Sequence, residues 1–149
     1  MDRIKLPREE LPIFRARFEV HSHVSKKNNR PIHKNMRTGK VFLGKGRHLQ
    51  DAERIMAIHI ERAKSAYPPG PSVEDVHCCF RFYFNDYYTK EVERRKNMPD
   101  LSNLFELPQD VLQKCGVIKN DSQIVSLDGS RRLPGVQNII EIWIWKAEK

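Results

Sequence analysis

The chain has 149 residues, 39% of them hydrophobic and 31% charged, which suits one soluble domain with a proper core. No apolar run is long enough to span a bilayer. Lys and Arg number 27 against 19 Asp and Glu, a net charge of +8 that favours an anionic partner. Nucleic acid comes first and an anionic membrane surface second, since net charge speaks to partners and not to fold. Three cysteines, two of them adjacent at Cys78 and Cys79, make no disulfide framework. The start, Met1-Asp2-Arg3-Ile4-Lys5, lacks the apolar region of a secretion signal, so a reducing cytoplasm is expected.

Residues 1–12 are charged and punctuated by Pro, and read as a loosely docked arm ahead of a single domain over 13–149. Phe14, Ala16, Phe18 and Val20 alternate with Arg15, Arg17 and Glu19, the pattern of a half-buried strand. A loop rich in donors and cations follows, with Lys26, Lys27, Asn29 and Arg30 in it. Ile32 to Leu43 predicts a hairpin around Arg37-Thr38-Gly39-Lys40, and Lys34 lies on it. Such a basic ribbon suits phosphate contacts, which supply affinity without reading sequence. From Leu49 to Tyr67 the apolar period turns helical, with Ala52, Met56, Ile60, Ala63 and Tyr67 as the buried stripe. Pro68-Pro69-Gly70-Pro71 stops that helix.

Val76 to Phe84 alternates strictly and is predicted as a strand. His77 beside Cys78 and Cys79 suggests zinc, but successive strand residues point to opposite faces and cannot jointly hold one ion. Residues 85–99 are polar and dense in cations, including Lys90, Arg94, Arg95 and Lys96. A last strand is predicted over Val136 to Trp145, with Ile140, Ile142 and Ile144 on one side. Trp143 and Trp145 fall on the other, outer side, where they fit a second helix or a partner chain. The order of strand, hairpin, helix, strand, helix, strand, strand gives an α+β domain: a mixed or antiparallel sheet with two main helices packed on it.

Between the predicted strand at Val76 to Phe84 and a short one at Ile124 to Leu127 lies the stretch that carries chemistry. Asp100 follows a Pro, Leu101, Leu104, Phe105, Val111 and Leu112 have helical rhythm, and Glu106 and Asp110 share a helix face. Asp121 opens the next apolar segment. Carboxylates drawn from these positions offer the oxygen donors that a hard cation such as Mg²⁺ prefers. By spacing alone the same residues also make an ordinary solvated acidic face, and both readings stay open.

Asp100-Leu101-Ser102-Asn103-Leu104, then Asp110-Val111-Leu112, then Gly116-Val117-Ile118-Lys119-Asn120-Asp121-Ser122-Gln123-Ile124 is similar to the signature of the RusA-type Holliday junction resolvases. That pattern reads approximately D-x-D-N-L-x-K-x-x-x-D-x-L, followed by G-V/I-x-x-D-D-x-Q-V/I. The first strand with Ser25 to Asn29, the Val76–Phe84 strand, the basic run before Asp100 and the Ile140-Glu141-Ile142 strand also fall in the family's order.

The resemblance implies a small homodimeric endonuclease, often carried by phages and prophages, that nicks opposing strands of four-way DNA junctions with Mg²⁺, or Mn²⁺ in its place. It matches Asp100 and Asp121 to metal-binding aspartates and Asp110 to the helical aspartate. Three positions depart: Ser102 stands for a second aspartate, Glu106 for a lysine, and Asn120 for the first aspartate of the D-D pair. Glu106, one turn after Ser102, can restore the missing charge, giving Asp100, Ser102, Glu106 and Asp121 as the expected metal donors. Lys26, Lys27, Asn29, Arg30, Lys34, Arg94, Arg95, Lys96 and Lys119 are the expected DNA contacts. Two rivals stand beside this reading. One is a branched-DNA-binding protein of the same fold that has lost catalysis; the other is an RNA-binding module stacking bases on Tyr83 or Trp143.

Overall fold

The computed structural model describes residues 5–24, 32–34, 36–43, 47–67, 73–85 and 100–147, with backbone alone for 32–34 and 41–43. Its centre is a mixed five-stranded sheet. β1 (Phe14–Glu19) buries every second residue. Its partner is β7 (Ile139–Lys146), antiparallel, with Phe14 opposite Ile144 and Phe18 opposite Ile140. β4 (Val76–Phe84) lies on the far side of β7, also antiparallel, with Phe80 opposite Ile142. Cover on both faces of the sheet explains why β4 is buried along almost its whole length, with Cys78 in the main core and Cys79 beside the tryptophans. Its other edge is shared by two short parallel strands, β5 (Ile124–Ser126) and β6 (Arg131–Pro134). The expected hairpin forms a separate ribbon of β2 (Ile32–Lys34) and β3 (Val41–Leu43), with Gly39 at φ +71° in its turn.

β6 was not expected. Arg131-Arg132-Leu133-Pro134 has no alternating apolar signal, and pairing with β4 from Arg81–Arg131 to Phe84–Pro134 alone defines it. Pro134 is tolerated because the strand has no neighbour on its outer side among the described residues. The last strand begins at Ile139 and not at Val136, which is 96% exposed. Asn138 sets that start: its Nδ2 donates to the His21 carbonyl at 3.0 Å, and its Oδ1 accepts from the Asn85 amide at 3.1 Å.

Two helices cover one face. α1 (Arg47–Lys64) buries Leu49, Met56 and Ile60, and α2 (Leu101–Lys114) buries Leu104, Leu107, Pro108, Val111 and Leu112. Both stripes meet Phe14, Phe18, Phe80, Phe82, Ile140 and Ile142 in one core. Lys64 Nζ donates to the Cys115 carbonyl at 2.6 Å, and Lys114 pairs with Glu53 at 3.5 Å, so the helices are also fastened to each other.

The opposite face corrects two expectations. Trp143 and Trp145 are 5% and 1% exposed and form a small cluster with Cys79; they are not an open interface. The arm covers them. Trp145 Nε1 donates to the Glu10 carbonyl at 2.9 Å, and Arg81 Nη2 donates to the Lys5 carbonyl at 2.8 Å. Gly129, at φ +82°, lies so close to Pro7 that a Cβ there would stand 2.9 Å from its Cδ. Residues 5–12 therefore lie against the sheet's second face, bonded to it through the Lys5 and Glu10 carbonyls, with most of their side chains exposed. With Trp143 buried and Tyr83 half-buried, neither offers the stacking platform that the RNA-binding reading requires. Cys78 sits in the main core and Cys79 in the small cluster, on opposite faces of β4 as expected.

Candidate active site

α2 starts where the sequence leaves a Pro and places an Asp. Asp100 is the N-cap residue, with extended backbone (φ −59°, ψ 146°), and its carbonyl accepts from the amides of Asn103 and Leu104 at 3.0 and 3.2 Å. An aspartate at this position normally turns its carboxylate back onto the first turn. Asp100 makes no such side-chain cap, and it is exposed. Behind it, Ser102, Glu106 and Asp110 succeed one another at four-residue spacing on the side away from the buried stripe. Ser102 and Glu106 are exposed and Asp110 is half-buried. Pro108 lies inside the helix and is buried, and the helix runs on through it to Lys114. The missing Pro N–H leaves the core-side turn one bond short without breaking the row of polar residues.

The return from α2 positions Asp121. Gly116 adopts φ +75°, and the amides of Val117 and Ile118 turn back onto the Leu112 carbonyl at 2.9 and 3.5 Å. Asp121 then opens a 3-10 turn, Asp121–Gln123, held by a reciprocal cap. Asn120 Oδ1 accepts from the Ser122 amide at 2.9 Å, while Gln123 Oε1 accepts from the amides of Lys119 and Asn120 at 2.8 and 2.9 Å. Gln123 Nε2 donates in turn to the Glu74 carbonyl at 2.7 Å, tying the turn to the entry of β4. Asn120 thus does what an aspartate would do at that place: its side-chain oxygen caps the turn and presents Asp121 outward. The spacing N-x-x-Q is a capping-box signal that was present in the sequence and not used.

Among the described residues, no three His, Cys, Asp or Glu side chains gather into a group able to hold a metal ion. Asp100, Glu106 and Asp121 have no hydrogen bond or ion pair from their carboxylates there, whereas Asp110 is engaged. Mg²⁺ does not ask for an all-protein cage; it binds through one or two carboxylates, waters and substrate phosphates. Exposed, unengaged oxygen donors at Asp100 and Asp121 fit that demand in kind. Lys119 is exposed and two residues from Asp121, the one expected DNA contact beside an acidic candidate whose surroundings are described. Lys34 ends β2. Lys26, Lys27, Asn29, Arg30, Arg94, Arg95 and Lys96 lie outside the described residues.

Residues 22–144 match the model of a protein family described as endodeoxyribonuclease RusA. The chain belongs to that family. The matched span holds both helices, β4, most of β7 and all four acidic candidates, and it leaves the arm and β1 outside. The family is one of endodeoxyribonucleases that act on Holliday junctions, with DNA as their partner. No curated protein matches the chain. No helix among the described residues is long and apolar enough to cross a membrane.

Proposed function

We propose that this RusA-family chain resolves four-way DNA junctions in the cytoplasm by paired nicks in opposing strands, acting as a homodimer with Mg²⁺, or Mn²⁺ in its place. The observation that carries this reading is Asp100: a carboxylate at a helix start that is exposed and not spent on capping. Asp100 and Asp121 would hold the ion, and Glu106 would supply the charge that Ser102 lacks. Bound there, a divalent ion lowers the pKa of a water and offsets charge on the attacked phosphate. Lys119 and the basic segments at 26–34 and 94–96 hold the DNA backbone beside an acidic surface that repels it. A two-fold dimer brings two such surfaces to the two opposing strands, so junction shape selects the substrate.

The dispersal of the carboxylates favours one alternative, a branched-DNA-binding protein that no longer cuts. A labelled immobile four-way junction separates the two. Symmetric nicks that appear with Mg²⁺ and vanish with chelator support the resolvase; tight binding with no nick in Mg²⁺ or Mn²⁺ supports the alternative.

A further inference from the structure

We propose that the cavity between residues 20–24, α1 and α2 receives an unpaired nucleobase from the branch point of bound DNA. The proposal rests on the junction reading above and adds to it a base-binding site. The cavity measures about 230 Å³. Its floor is apolar and closed: Met56, Phe82, Leu104, Leu107 and Ile140 are each at most 3% exposed. Its rim is polar and open, with His21, Ser22 and His48 exposed and Asp51 half-buried. A cavity of about 150 Å³ is enough for a benzene ring, so a single pyrimidine or purine fits here.

Chemistry selects the base over the other parts of DNA. A phosphate would lose its solvation on a floor of Met, Phe and Leu side chains, with no Lys or Arg among the described lining residues to replace it. A base has an apolar face for the floor and a hydrogen-bonding edge for the rim. Asp51 can accept from an exocyclic amine, as carboxylates do from cytosine N4. The imidazoles of His21 and His48 can donate or accept at the remaining edge positions. His23 is wall and not reader: its Nε2 is 2.6 Å from the Tyr83 carbonyl and its ring packs on Phe84 at 4.2 Å.

Position supports the same assignment. The Leu104 amide in the floor is bonded to the Asp100 carbonyl, so the cavity starts one helical turn from the candidate active-site carboxylate. The wall at residues 20–24 leads directly into the basic run Lys26, Lys27 and Arg30. Extrusion costs least where a base is already unpaired, as it is when the branch point opens.

The test places 2-aminopurine, one position at a time, at the branch point and in the arms of a four-way junction, without divalent ion, and adds the full-length protein. A severalfold rise in fluorescence at a branch-point position, absent from the arms, is expected. Ala52→Trp, which fills the cavity, should abolish the rise and weaken junction binding by roughly tenfold, the scale of one lost base contact. Asp51→Ala, a rim change that leaves the floor intact, should reduce the rise while the melting temperature stays at the wild-type value. A bound junction with no rise at any position overturns the base site and leaves the resolvase reading standing. A rise that survives Ala52→Trp in a folded variant also overturns it. Failure of the wild-type protein to bind the junction at all overturns the junction reading, and this proposal with it.

Discussion

The indole N–H of Trp145 meets the main-chain carbonyl of Glu10 at 2.9 Å, so the last strand of the sheet holds the first described segment of the chain against itself. Trp145→Phe keeps most of the ring and removes the donor. It is expected to lower stability by about 1 kcal/mol. Trp145→Ala also empties the cluster with Cys79 and Trp143 and should cost about 3–5 kcal/mol. Urea unfolding measures both. Equal midpoints for wild type and Trp145→Phe would show that the bond to the arm contributes nothing.

Asp100→Asn keeps the size of the side chain and removes its charge. Cleavage of a four-way junction should fall by roughly 10²–10³-fold, the scale for losing one electrostatic group at a reacting phosphate. Binding measured by gel shift should stay within a few-fold, because the cations that carry affinity are untouched. Cleavage at the wild-type rate would remove Asp100 from the active site.

Ser102 and Glu106 stand one helical turn apart on the same side of α2. If Glu106 has taken over the missing aspartate's charge, Glu106→Ala should depress nicking about as far as Asp100→Asn. The double change Ser102→Asp with Glu106→Ala should then restore much of it. Normal nicking by Glu106→Ala makes that carboxylate an ordinary surface group.

Asn120→Ala removes the acceptor of the Ser122 amide and should destabilise the turn before β5 by about 0.5–2 kcal/mol. Asn120→Asp should be nearly neutral, since either side chain offers the capping oxygen. Chemical denaturation of the two variants side by side decides whether Asn120 is kept for the cap. Equal losses in both would rule that out.

Burial pushes the Cys78 thiol up to about 12, with the neighbouring Cys79 adding to the rise. The sign follows from linkage: the unfolded thiol, near its ordinary 9.0, gives up its proton first, while the folded one keeps it. The stabilisation is complete below pH 9 and drains away as pH climbs toward 12. All three cysteines are buried, so native protein at neutral pH should resist iodoacetamide and react once unfolded, as mass spectrometry will show. Rapid alkylation of Cys78 in the native state would contradict this account of its burial.

Much of the fold was legible because its patterns are local. Alternation over Phe14–Glu19 gave a strand with the observed buried face, alternation over Val76–Phe84 gave a strand that buries its other face as well, and the α1 stripe through Met56 and Ile60 went to the core. The acidic stretch could be placed on a helix starting after Asp100, and the spaced signature running to Asp121 pointed to the family that the matched residues confirm. β6 was not legible, since Arg131–Pro134 owes its strand to β4 and not to its own composition. Nor was the burial of the tryptophans. Period-two alternation tells which side of a sheet a residue takes, but not what lies over that side.

Periodicity and side-chain chemistry need no partner to be read, so every main element but β6, the excess of positive charge and the identity of the acidic residues were open to reading from the residues alone. Only the tertiary structure decided which of those residues are engaged and which stay open. It folded the arm against Trp145 and left the Asp100 side chain out of the helix cap. It also enclosed a cavity between segments far apart in the chain. The docking of the arm depends on groups brought together across the fold, and a hydrogen bond to a distant carbonyl leaves no periodic mark in the residues that make it.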